Sequence, residues 1–191
     1  MTNALWLEGW EGQSTWGYDS AAGSYFAQLY RDEGPDRDAP DVWLSGVTER
    51  FKYAEELMVR IMAATSASPT AVYEAMVPDP LAVVPQHRAP EDPAVPGGRT
   101  LQEIQERAQQ ADGDTEFEQG IARALKWVLG REPASPVTAL PPASARPSPL
   151  EIEAERWAAT GAIYQPTRTP RDVATGAETA LYWVAGRSES L

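Results

Sequence analysis

Cysteine is absent from the 191 residues, and histidine occurs once. The first absence removes disulfides, thiolate nucleophiles and cysteine-ligated zinc or iron–sulfur centres. The second leaves too few nitrogen ligands for the usual zinc sites. His87 itself sits among prolines (Pro85-Gln86-His87-Arg88-Ala89-Pro90). No fixed partner orients its ring there, so it reads as an exposed spectator. No apolar run reaches the length of a membrane span. Met1-Thr2-Asn3-Ala4 has neither the basic nor the apolar region of a signal peptide, and a cytoplasmic address is expected. The phosphate and nucleophile signatures GxxxxGK[ST], GxGxxG and GxSxG are missing as well.

Positive charge is the other shortage. Sixteen Lys and Arg face twenty-eight Asp and Glu, for a net charge of −12. Residues 1–77 alone carry twelve acidic and five basic side chains. Nucleic-acid affinity rests largely on neutralising phosphates with Lys and Arg. No segment supplies a basic patch, so direct nucleic-acid binding is not expected. Lysine appears twice (Lys52, Lys126) and asparagine once (Asn3), while Ala, Pro, Gly, Arg, Asp and Glu dominate. Such usage follows GC-rich coding and points to a high-GC bacterium, of which actinobacteria are the commonest case.

What is plentiful is proline, which marks joints. Residues 78–99 hold six prolines with Gly97-Gly98, and residues 133–149 hold six more. These are expected as linkers. They divide the chain into an α+β domain at 1–77, a helical hairpin at 100–132 and a second at 150–191.

In the first of these, residues 4–10 alternate, with Leu5 and Leu7 on one side and Trp6, Glu8 and Trp10 on the other. That is the period of a half-buried strand. Residues 24–31 and 41–45 make two further aromatic-rich strands, giving a three-stranded antiparallel meander; residues 15–18 offer a short extra strand. Val47, Phe51, Ala54, Met58, Ile61 and Met62 form one apolar stripe, predicting a covering helix over 47–64 with Ser45 as its N-cap. Ser68-Pro69 opens a shorter helix over 69–76.

The C-terminal half repeats itself. Residues 120–131 (GIARALKWVLGR) match residues 176–187 (GAETALYWVAGR) at seven of twelve positions, including Gly120/Gly176, Trp127/Trp183, Gly130/Gly186 and Arg131/Arg187. Each stretch follows a helix opened by a capping box, Thr100…Glu103 and Ser148…Glu151. Gly130 and Gly186 fit the position just past a helix end. Thr169-Pro170 suggests a further cap. Two duplicated α-hairpins are therefore expected. Trp127 and Trp183, each with its Arg131 or Arg187, are either docking surfaces or rings closing a hydrophobic seam, and the core pattern around them favours the seam.

Among chemistry-bearing groups, Asp36, Asp38 and Asp41 lack the glycine and distal Glu of a calcium loop and read as a solvated turn. Glu8, Glu11 and Asp19 lie among Trp6, Trp10, Trp16 and Tyr18. Acids beside aromatic rings suit glycan hydrolysis, but equally a strand face with carboxylates at its rim.

The run from Trp16 to Asp32 (WGYDSAAGSYFAQLYRD), followed by a strand and a long helix, resembles the β-β-β-α core of HicB-type antitoxins over residues 5–65. The resemblance implies a nucleic-acid-linked regulatory role, although that family's DNA-binding tail has no counterpart here. The chain is also similar in style to uncharacterised accessory proteins of actinobacterial plasmids, integrative elements and phages. The residues favour a small acidic regulatory protein that works through contacts with another protein, with no cofactor and no metal. Trp6, Trp10, Trp16, Tyr18, Trp127, Arg131, Trp183 and Arg187 are its candidate binding residues. The alternatives are a nucleic-acid-linked regulator, antitoxin-like or a plasmid replication accessory, and a small glycan-acting hydrolase using Glu8, Glu11 and Asp19.

Overall fold

A computed structural model describes the chain except for residues 1, 11, 33–38, 78–97, 112 and 189. His87, Glu11, Asp36, Asp38 and most of the first proline-rich segment thus lie outside the described residues. The chain forms two compact units, Met1–Pro78 and Asp79–Leu191. Among the described residues no helix is long and apolar enough to cross a membrane.

The first unit is α+β. Four antiparallel strands lie in sequence order: β1 (Thr2–Ala4), β2 (Thr15–Asp19), β3 (Ser24–Leu29) and β4 (Val42–Leu44). The sheet therefore has four strands where three were expected. The segment 15–18 is a full strand, and the first strand lies at Thr2–Ala4, sharing only Ala4 with the strand expected over 4–10. The alternation does persist outside the strand: Leu5 and Leu7 are buried while Trp6 is 71% exposed. What ends it is Gly9, at φ +77, a conformation that side chains disfavour. It turns the chain so that the Trp10 amide donates to the Leu7 carbonyl at 3.0 Å.

The covering helix α1 spans Ala54–Thr65, not 47–64, and its N-cap is Tyr53 rather than Ser45. Phe51 explains the late start. Its backbone is used by the sheet: the Tyr25 amide donates to the Phe51 carbonyl, and the Phe51 amide donates to Ser24 Oγ, both at 2.9 Å. A residue paired this way cannot also sit in a helical turn. Val47, assigned to the same apolar stripe, is left 91% exposed. Cross-strand partners share a face of the sheet. Ala27 and Leu29 are fully buried with Phe51, Leu57, Met58 and Ile61, which identifies the face that meets the core. Helix α2 (Pro69–Met76) begins as expected, with Ser68 Oγ accepting from the Ala71 amide.

The second unit is helical: α3 (Leu101–Gln110), α4 (Glu116–Val128), α5 (Pro149–Tyr164) and α6 (Arg171–Val184). The capping boxes at Thr100/Glu103 and Ser148/Glu151 are both formed. A third stands at Thr115/Glu118. There the Thr115 hydroxyl and amide hold the Glu118 carboxyl below its ordinary range. The cap expected from Thr169 is not made. Pro170 takes the N-cap position, and Thr169 Oγ1 donates instead to the Val137 carbonyl at 3.0 Å.

The two equivalent helices, α4 and α6, pack on each other. A Cβ on Gly120 would meet the Val173 carbonyl oxygen at 2.2 Å, and one on Gly176 would meet the Phe117 oxygen at 1.9 Å. Each glycine thus touches the residue three positions before the other, so the contact is reciprocal. The helix ends match as well. Gly130 (φ +71) and Gly186 (φ +70) follow the last turns, their amides donating to the Trp127 and Trp183 carbonyls. Trp127 and Trp183, with Ile104, Leu125, Ile152 and Leu181, fall in one core cluster that draws on all four helices.

Candidate binding groove in the N-terminal unit

The chain between β1 and β2 reverses tightly, and the reversal sets Trp6 in place. Its six-membered ring lies against Gly12, so close that a Cβ there would come within 2.5 Å of Trp6 Cζ3. Only a residue without a side chain leaves the indole room to lie down. Despite this contact Trp6 remains 71% exposed.

Beside it runs a groove of about 560 Å³, bounded by β1 and the following loop on one side and by α2 on the other. Asn3, Ala4, Trp6, Leu7, Glu8 and Trp16 line the first wall; Ala71, Glu74, Ala75 and Met76 line the second. Both wall positions 71 and 75 are alanine, one helical turn apart, and this small pair widens the groove opposite the aromatic wall. Among the described residues the lining contains two carboxylates and no basic side chain.

Trp16 is half-buried, its ring 6.3 Å from Tyr25 in a stacked arrangement. Its indole nitrogen is buried with no hydrogen-bond partner among the described residues. Tyr18, two residues on and 42% exposed, meets Tyr25 edge-on at 5.1 Å. Trp10 is not part of the groove. It is buried, with the Arg31 guanidinium 5.1 Å over its ring. Nor does Asp19 line it: that carboxylate accepts from the Ala21 and Ala22 amides at 2.8 and 3.2 Å, holding the β2–β3 turn. Of the acids expected to act together, Glu8 lines the groove, joined by Glu74, and Asp19 does not, while Glu11 lies outside the described residues. The signal for Glu74 was available in the sequence only as an exposed position on a short helix.

In the second unit the candidate residues turn inward. Trp127 is 2% and Trp183 7% exposed. The Trp127 indole nitrogen has no partner among the described residues, whereas the Arg99 guanidinium lies 5.0 Å over the Trp183 ring. Arg131 is exposed. Arg187 instead reaches Glu153, whose Oε1 accepts from Arg187 Nη1 at 2.9 Å and from Arg156 Nη2 at 2.8 Å and Nε at 3.0 Å. Both guanidiniums stand 5.9 Å from the Tyr182 ring. Two cations on one buried carboxylate make a structural knot; Glu153 and Arg156 stand together on α5, while Arg187 comes from beyond the end of α6 and has no local link to them in the sequence.

The segment 133–149, expected as a linker, is tied down by two acids of α5. Glu155 Oε1 accepts from the Val137 and Thr138 amides at 2.7 and 3.1 Å, and Oε2 accepts from Thr138 Oγ1 at 2.6 Å. Burial pushes the Glu155 carboxyl above its ordinary range, opposed by these bonds and one to Ser135. Glu151 accepts from the Ala143 and Ser148 amides. Partial burial acts to raise its carboxyl, but the bonds from Ser148 and Ala143 outweigh it and hold the group low.

Among the described residues no three His, Asp or Glu side chains gather as a metal site would require. No protein-family model matches the chain, and neither the curated proteins nor the solved structures contain a match.

Proposed function

We propose that the protein is a non-catalytic, protein-binding accessory module of regulatory type, and that its binding surface is the groove between β1 and α2. The observation that carries this reading is Trp6. Large exposed aromatics that are already immobilised bind at low entropic cost, and tryptophan is the residue most enriched at the centres of interfaces. Trp6 is exposed, lies against Gly12, and lines a groove with a second indole. Among the described residues the rest of the groove holds no nucleophile with a base beside it, as covalent catalysis would need. Its two carboxylates are surface groups beside rings, an arrangement suited to contact.

The test is selection of binding partners from a random peptide library displayed on phage, using the full chain as bait. Binders are expected to be lost on Trp6→Ala and retained on Trp43→Ala. Trp43 is a comparable control because it is 63% exposed on β4, at the other edge of the sheet. Binders indifferent to Trp6→Ala would remove the groove from consideration. A nucleic-acid-linked role, by contrast, would show as DNA retention that falls steeply with salt.

A further inference from the structure

We infer that the groove takes an extended, basic segment of a partner protein, which adds itself to the sheet as a strand on the free edge of β1. This rests on the groove reading above and supplies the chemistry and geometry of its occupant.

Among the described residues β1 pairs with β2 alone, at the end of the sheet order, which leaves its outer edge available. Its register shows which backbone groups face outward. Thr2, Asn3 and Ala4 oppose Gly17, Trp16 and Thr15. The same register continues to Leu5, whose amide donates to the Ser14 carbonyl at 2.8 Å. In an antiparallel ladder, bonded and non-bonded pairs alternate. Leu5 and Asn3 therefore spend their backbone groups on β2, while Thr2 and Ala4 direct theirs away from it. An incoming strand would find these donors and acceptors at the usual spacing of about 4.8 Å, a mode of recognition that draws affinity from main chain and specificity from alternate side chains.

Those alternate side chains would point into the groove, between the aromatic wall and Ala71 and Ala75 of α2. There they meet the exposed ring of Trp6 and the carboxylates of Glu8 and Glu74. An aromatic face and a carboxylate both attract a cation, and among the described residues no basic side chain in the lining competes for them. The surrounding unit, with twelve acids to five bases, adds a field that draws in a basic segment and repels an acidic one. Lys or Arg at every second position of the occupant satisfies both requirements.

The experiment sequences the octapeptides that the full chain selects from the phage library and measures the best of them by fluorescence anisotropy. Enrichment of Lys or Arg at alternate positions is expected. Affinity should fall about tenfold for the Glu8→Gln, Glu74→Gln double variant, by analogy with paired rim charges, and should weaken with added salt. N-methylation of the peptide amides at alternate positions should abolish binding in one phase and spare it in the other, because only one set faces β1. Acidic or uncharged winners, or winners indifferent to methylation in both phases, would overturn the basic-strand inference while leaving a Trp6-dependent groove standing. If no winner depends on Trp6, the groove reading falls and takes this inference with it.

Discussion

In Asp79–Leu191 the demanding side chains are turned inward and matched: Glu153 between two arginines, Glu155 under a loop, both indoles of the repeat in the core. In Met1–Pro78 Trp10 and Glu56 are buried, but several of the corresponding groups face out. Trp6 and Trp43 are more than half exposed, and Glu8 and Glu74 stand unburied at a groove. The two units carry similar residue types, and their placement separates two tasks. One has its polar chemistry consumed by its own architecture, leaving little with which to address another molecule. The other keeps a smaller core and leaves aromatic and acidic groups available.

Substitutions can break or sharpen that contrast. The largest effect is expected from Glu153→Ala, which leaves two nearly buried guanidiniums side by side without their carboxylate. Removing one member of a buried ionic cluster costs about 3–5 kcal/mol, and the melting temperature of the second unit should drop by roughly 15 °C or more. Calorimetry on the full chain would show it, and a drop of only a few degrees would mean that the knot is solvated.

Next comes Gly176→Ala. Its new methyl would fall within 1.9 Å of the Phe117 carbonyl oxygen, and the helices must separate to admit it. Overpacking of this kind costs about 1–3 kcal/mol, the upper end being expected because the obstacle is backbone. Gly120→Ala should behave alike, since it meets Val173 in the same way. Unequal effects would break the equivalence of the two helices.

Glu155→Gln should act through pH. The folded unit holds the Glu155 proton more tightly than the unfolded chain does, because burial raises its carboxyl. That contribution to stability is complete below the unfolded value near 4.5 and is lost as pH rises through the raised folded value. Denaturant titrations across this window should show the wild type losing stability relative to the variant as pH increases. Parallel curves would mean that the carboxyl titrates normally.

The smallest effect belongs to Trp6→Ala in the first unit. Its ring is mostly solvated, so the change in stability should stay within about 0.5 kcal/mol, read as an unchanged melting temperature even where peptide binding is lost. A large loss would make Trp6 a structural residue and erase the contrast between the units.

Where local chemistry determines an element, the sequence shows it. The capping boxes at Thr100 and Ser148, the start of α2 at Pro69 and the glycines at 130 and 186 all depend on neighbours within four residues, and all stand as read. The early strand and the start of α1 depart from their local patterns for different reasons, one within the run and one from a distant strand. Gly9 reverses a run whose alternation looks continuous, and Phe51 leaves a helical stripe to pair with Tyr25. The groove was half legible. Trp6, Trp16 and Glu8 stand close together in sequence, yet Trp10 and Asp19, equally close, are drawn elsewhere by Arg31 and by a turn. The opposite wall comes from α2, some seventy residues along, and no local pattern connects the two. The proline-rich stretch 133–149 shows the same limit from the other side: composition suggested a linker, but three bonds to one glutamate secure it.

The reciprocal seam between α4 and α6 has a consequence for assembly. Because each helix offers the other the same glycine notch, the surface does not distinguish a mate from its own chain from one belonging to a second copy, which is the condition for domain swapping. What decides the matter is the tether. The two helices are joined through residues 129–170, which run along the loop anchored on Glu155 and the whole of α5, and a tether held in place over most of its length keeps their effective concentration above that of a neighbouring molecule. The loop held by Glu155 therefore acts as a guarantor of monogamy, keeping a promiscuous interface closed upon itself during folding.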